Sequence, residues 1–216
     1  MWFQSKVLAH QFLRYLDWFL WKPHLAHSRS GLAVEEAGLV LLFAHSSTLA
    51  REYPGIDPAL QSNKRISVSL AAKRLHGLVL DSGQMFSFWY LVGRPSARRG
   101  FPPGLEIRSG QMISSPGGGL CQVANMLHWS ALNLGLEVVE RHRHSWDLFP
   151  DQSRTVPFGS GATVFYNYRD FRFRNTSGQK LILSSIVDEN TLTIRFLSDA
   201  PLSYAVRVRE EDHKFY

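Results

Sequence analysis

The chain has 216 residues, of which 44% are hydrophobic and 19% charged, enough apolar material for a packed core of one or two domains and too little charge for a disordered polypeptide. The formal net charge of +6 attracts anions, but no helix-turn-helix pattern, zinc-ligand spacing or RNA-recognition ribonucleoprotein motif accompanies it, so nucleic acid is not an expected partner. The single cysteine, Cys121, excludes an internal disulfide and a multi-cysteine zinc centre.

Met1 to Trp21 are rich in apolar side chains. Lys6, Arg14 and Asp17 interrupt them, so no uninterrupted run reaches the roughly 18 residues of a membrane span. No small-residue cleavage site follows a clean apolar core, so no signal peptide is expected either. Leu8, Phe12, Leu16, Phe19 and Leu20 recur at helical steps with Leu13 beside them, which predicts an amphipathic helix. Its stripe has two readings. It docks on the domain, or, helped by Trp2, Trp18 and Trp21, it lies peripherally on a membrane. The expected location is the cytoplasm or the inner face of the membrane.

Pro23 ends this pattern, and Lys22 to Gly31 reads as a connector. Leu32 to Arg51 reads as partly helical, through Val34, Leu39, Leu42 and Leu49. Glu52 to Ser62, with Pro54, Gly55 and Pro58, reads as a loop. Ile66, Val68, Leu70, Ala71 and Leu75 fit a helix from Asn63. A turn at Asp81 to Gly83 then precedes a strand in which Phe86, Phe88 and Tyr90 alternate. Gly93 to Gly104 is an arginine- and proline-bearing loop, and Leu105 to Ile113 holds two short strand segments around Ser109-Gly110. Gly117-Gly118-Gly119 leads into a helix beginning at or next to Cys121 and ending at Gly135, a good C-cap. Strands are predicted at Leu136 to Arg141, Ala162 to Tyr168, Phe171 to Arg174, Lys180 to Val187 and Thr191 to Phe196, the last three as an antiparallel meander. The fold class is therefore α+β: N-terminal helices, a central helix opened by the cysteine, and a mainly antiparallel sheet.

The chemistry centres on Cys121. A thiol at a helix N-terminus faces outward amides and the positive end of the dipole, which favours a thiolate. His142 and His144 follow the next strand, two apart and on one face. A helix of about 15 residues and a return strand of about seven cover similar distances, roughly 22 Å. This brings an imidazole back toward the thiol. Cys121 would be the nucleophile and His144 the base, with His142 as substitute. Asp170 would orient the imidazole, with Asp147 as the alternative. Gln122 and backbone amides near Gly119 and Cys121 would hold an oxyanion, with Gly118 and Gly119 against the substrate. Trp89, Arg94, Arg98 and Arg99 would line a groove for an anionic substrate. The alternatives are that Cys121 is a small buried hydrophobe, that the histidines join an aspartate as metal ligands, and that Asp170 caps a turn or pairs with Arg172 or Arg174. A phosphate site at Gly117 to Gly119 lacks the Walker lysine. No cofactor and no bound metal are expected.

Several blocks, in order, carry a family resemblance. They are Gly83-Gln84-Met85-Phe86-Ser87-Phe88-Trp89, Leu91-Val92-Gly93, Gly117-Gly118-Gly119-Leu120-Cys121-Gln122, Glu137 through Ser145, Gly161-Ala162-Thr163-Val164, and Asp170-Phe171-Arg172-Phe173-Arg174-Asn175. Together they resemble the VanW family, in its short form. The resemblance implies a link to glycopeptide resistance, hence to a peptidoglycan-related peptide or precursor as partner. The order of cysteine, histidine and acid is also similar to papain-like cysteine peptidases in layout. The expected organisation is an N-terminal helical region at 1–62, a VanW-like α+β domain at 63–200 and a C-terminal tail at 201–216. Two functions follow as expectations: a cysteine-dependent amidase, peptidase or acyl transferase, or a non-catalytic module that binds cell-wall fragments or glycopeptide. A weaker third is an accessory protein that works through partner contacts.

Overall fold

The computed structural model describes residues 2–27, 38–49, 57–108, 111–143, 156 and 159–209. They form an α+β fold. Helix α1 (Trp2–Trp21) is followed by strand β1 (Val40–Thr48) and helix α2 (Pro58–Leu75). Strands β2 (Leu78–Leu80) and β3 (Met85–Ser87) lead to the short helix α3 (Phe88–Val92) and the hairpin β4 (Pro103–Arg108) and β5 (Gln111–Pro116). Helix α4 (Leu120–Asn133) precedes β6 (Glu137–Glu140), β7 (Arg172–Arg174), β8 (Leu181–Val187) and β9 (Thr191–Ser198).

The strands form a four-stranded sheet in the order β1-β9-β8-β2, a three-stranded sheet in the order β3-β7-β6, and the β4–β5 hairpin. All of these pairings are antiparallel. On β9, Leu192, Ile194 and Phe196 are buried at every second position, the period-two pattern of a half-buried strand. Helices α2 and α4 pack on one another, α2 against β8 and α4 against β1 and β9. The two sheets share one core. Phe86 stacks on Phe173 at 4.7 Å, and Phe173 meets Phe196 edge-on at 6.3 Å.

Several expectations change. The segment read as partly helical holds β1, an edge strand paired to β9. Its residues are mostly half-exposed and its register shifts between Leu41 and Phe43, so the apolar alternation that marks a strand is weak. Strand β1 also ties residues of the expected N-terminal helical region into the main sheet. Helix α2 begins earlier than expected, at Pro58, because Asp57 accepts the Ala59 amide at 2.8 Å and proline suits the first helical turn. The expected Phe86–Tyr90 strand ends at Ser87, whose hydroxyl accepts the Tyr90 amide and starts α3.

The three-strand meander does not form, because β7 pairs with β3 and β6. Buried Asn175 makes the change of sheet. Its amide nitrogen donates to Leu80 O (2.9 Å) and Gln179 O (2.8 Å), and its oxygen accepts from Ser177. Ala162 to Tyr168 is not a strand. Residues 161–164 form no regular element, and the chain then turns through Tyr166 to Tyr168 with Asn167 at φ 52°.

Candidate functional site

Cys121 stands where the sequence places it, as the second residue of α4. Gly119 caps the helix with φ 92°, a left-handed conformation that favours glycine. The preceding Gly118 lies against the backbone of Gly104 in β4 so closely that a Cβ would collide with it. The glycines therefore seat the hairpin on the start of α4.

The expected thiolate is not what this setting produces. The sulfur is half-buried among core residues and donates to Val164 O at 3.7 Å. Burial pushes the thiol up to about 11 and Glu106 adds to the rise, against smaller opposing effects from hydrogen bonding to the Val164 backbone and to the thiol's own backbone amide. Desolvation outweighs the helix terminus here, and Cys121 is a protonated thiol at neutral pH.

Three α4 side chains hydrogen-bond to the irregular segment at 160–164. Besides Cys121 at Val164, the Asn125 carbonyl accepts the Ala162 amide at 2.6 Å, and His128 Nδ1 donates to Ser160 O at 2.6 Å. Arg141 holds the same segment too, donating to the carbonyls of Gly161 (2.9 Å) and Gly159. Burial pulls His128 down to about 4, so its imidazole is neutral and serves as a donor to a carbonyl. Sequence reasoning missed Asn125 and His128. Their spacing from Cys121, four and seven residues along one helix, is the signal that marks them.

The return path works for the backbone and not for the described ring. His142 O accepts the Thr163 amide at 2.7 Å, one residue from the thiol's acceptor Val164. The His142 imidazole instead meets Glu140, Nε2 to Oε1 at 3.1 Å. His144 and Asp147 lie outside the described residues.

Asp170 is fully buried and does not orient His142. One carboxylate oxygen accepts the Trp89 amide (3.0 Å) and the Phe171 amide (2.9 Å), and the other accepts the Ser87 hydroxyl (2.5 Å). It fixes the start of α3 to β7, so the turn-capping alternative describes it. Burial pushes its carboxyl up to about 6. Neighbouring Glu140 goes the other way. Burial pushes it up, but hydrogen bonds from His142, Arg14 and the Asp170 amide, with the Arg14 charge, hold it near 2. Arg14 (2.7 Å from Glu140) and the Asp17–Arg172 pair (2.7 Å) belong to α1 and β7, so this network docks α1 on the domain.

Of the expected ligand-facing residues, Gln122 donates to Ser47 Oγ and Thr48 O and is committed to β1. Trp89 is 2% exposed, with its indole N–H on Arg169 O at 2.8 Å. Arg94 is different. It is exposed with Arg98 and Arg99 on the Gly93–Gly100 loop. The Arg99 guanidinium lies over Gly93, where a Cβ would displace it, and donates to Arg94 O. Arg94 and Arg99 both act on Tyr166, whose hydroxyl shares a 2.8 Å hydrogen bond with Tyr15. Arg99 also depresses Arg74, after burial. Among the described residues no carboxylate forms an ion pair with Arg94, Arg98 or Arg99. Among those residues, too, no three His, Cys, Asp or Glu side chains gather as a metal site.

Comparison with known proteins agrees with the ordered motif blocks. Residues 63–197 match the family model described as VanW like protein. The vancomycin B-type resistance protein VanW of Enterococcus faecalis (strain ATCC 700802 / V583) is 34% identical over 135 residues, 62% of this chain and 49% of that protein. The uncharacterized protein YoaR of Bacillus subtilis (strain 168) is 30% identical over 146 residues, 66% of this chain and 46% of that protein. The chain thus spans about half the length of these relatives. No solved structure matches it. With the family model covering well over half of its residues, the chain belongs to the VanW family.

Proposed function

We propose that this domain is a recognition module for an anionic cell-wall peptide, a fragment or precursor of peptidoglycan, and that Cys121 is a packing thiol within it. The observation that carries this reading is the loop with exposed Arg94, Arg98 and Arg99, none paired with a carboxylate among the described residues, of which Arg94 and Arg99 act on the Tyr15–Tyr166 hydroxyl pair. Guanidinium groups recognise carboxylates through paired N–H donors, and adjacent tyrosines supply further hydroxyls and flat apolar contact. The like charges repel one another until an anion joins them. One relative is named for vancomycin resistance, and the step from that resistance to the cell wall belongs to this proposal.

Isothermal titration with a peptidoglycan stem peptide tests the reading. Binding that weakens with salt and drops at least roughly tenfold in Arg98→Glu supports it. No heat with any stem peptide, or equal affinity in the variant, overturns it.

A cysteine hydrolase or acyl transferase is the second reading. It is favoured by one observation: the chain that continues from His142 toward His144 leaves from beside Thr163 and Val164, next to the thiol. In that reading Cys121 gives its proton to an imidazole and its sulfur attacks an amide carbonyl. The amine leaves with that proton, and water or a second amine releases the acyl group. Loss of turnover in Cys121→Ser, with binding retained, is its test.

A further inference from the structure

Helix α1 docks with the face that an amphipathic helix usually turns outward. Apart from Trp18, which is buried in the core and edge-on to Tyr90 at 5.7 Å, and His10, edge-on to Tyr168 at 5.2 Å, its contacts to the domain are polar. Gln11 donates to Tyr166 O (3.0 Å), Arg14 pairs with Glu140, Asp17 with Arg172, and Trp18 Nε1 donates to Ser87 Oγ (3.2 Å). Leu8, Phe12, Leu13, Leu16, Phe19 and Leu20 lie on the opposite side and are 44–77% exposed. At 100° per residue they form a continuous apolar arc about 140° wide, pointing away from the domain. Both readings made from the sequence agree that this stripe is apolar, and the structure removes the first: the stripe does not dock on the domain.

We infer that this arc lays α1 in the plane of an anionic bilayer surface. The charges around it fit that occupant. Asp17 is the one acidic residue of α1, and it is spent on Arg172 and Arg14. Lys6 and Lys22 stand near the two ends of the arc and are exposed. On its Tyr15 flank, Arg94 and Arg99 approach the Tyr15–Tyr166 pair. An apolar face bordered by cations is the pattern of an interfacial helix, which gains both from apolar burial and from attraction to acidic headgroups. A second copy of the chain is disfavoured, because face-to-face helices would bring like-charged arginines and lysines together. Crossing the membrane is a different matter: no helix among the described residues is long and apolar enough to do so.

Sedimentation of the full chain with vesicles tests the inference. Phosphatidylglycerol–phosphatidylcholine vesicles are compared with phosphatidylcholine alone. The expected result is binding to the anionic vesicles that weakens with salt and is poor on neutral ones. The double variant Leu16→Glu/Phe19→Glu should lose binding by roughly a hundredfold. Its thermal midpoint should not fall, since both side chains already face solvent. If that variant does not fold, Lys6→Glu/Arg94→Glu serves instead and should also weaken binding. Wild type that stays in the supernatant with anionic vesicles overturns the inference, as does undiminished binding by folded variants. A dimer in solution that the double variant converts to monomer overturns it too, and makes the arc a contact between copies.

Discussion

Alkylation of Cys121 reads the state of the sulfur directly. A thiol held near 11 is ionised to about one part in ten thousand at neutral pH, against roughly three in a hundred for an ordinary thiol near 8.5. That is a loss of about 300-fold in reactive species. The rarer thiolate is also the more nucleophilic one. A Brønsted slope of about 0.4–0.5 over some 2.5 pKa units restores roughly tenfold. Native protein should therefore react with iodoacetamide about thirtyfold more slowly than urea-unfolded protein, and more slowly still because the sulfur is half-buried. Intact-mass spectrometry at timed intervals follows the reaction. The native rate should keep rising about tenfold per pH unit well beyond about pH 9, since the thiolate fraction is far from saturation. Glu106→Gln removes a charge that raises the thiol, so it should speed labelling. Native labelling as fast as the unfolded control, or a plateau below about pH 8, would refute the account of a buried, protonated sulfur.

Two buried groups should tilt stability with pH in opposite senses. Asp170 titrates near 6 when folded, above its ordinary 3.8. The folded state therefore holds its proton more tightly, and its contribution falls as pH rises between those values, by up to about 3 kcal/mol. His128 titrates near 4, below its ordinary 6.5, so its contribution is full above 6.5 and lost as pH falls toward 4. Relative to wild type, Asp170→Asn should gain stability on raising pH through this window and His128→Gln should lose it. Urea melts across the window check both, and parallel curves for all three proteins would contradict the assignment. Gly118→Ala places a methyl group against the Gly104 backbone and should cost about 1–3 kcal/mol as the hairpin shifts. An unchanged thermal midpoint would show that the hairpin is not seated on the start of α4.

What was legible in the sequence was mostly what depends on local pattern. Helix α4, its glycine approach and its stop at Gly135 follow from periodicity and backbone freedom. So does the β4–β5 hairpin around Ser109-Gly110. Strand β1 was hidden because an edge strand with half-exposed residues on both faces carries little alternation. The split of β7 from β8 was hidden because it depends on Asn175 bonding across the chain to Leu80. The site divides in the same way. The position of Cys121 at the helix start could be read, while the pull of burial against the dipole could not, because it depends on the surrounding core. Asp170 looked like an orienting acid by its order in the chain, but its three donors are Ser87, Trp89 and Phe171. Arg94, Arg98 and Arg99 were named from the sequence and are the expected ligand contacts that face solvent.

The most direct trial sets Cys121→Ser beside wild type with the same muropeptide, reading affinity by calorimetry and covalent change by mass spectrometry in one incubation. Equal affinities and an intact ligand in both samples are predicted. A ligand cleaved or transferred by wild type and left whole by the serine variant would contradict recognition without chemistry.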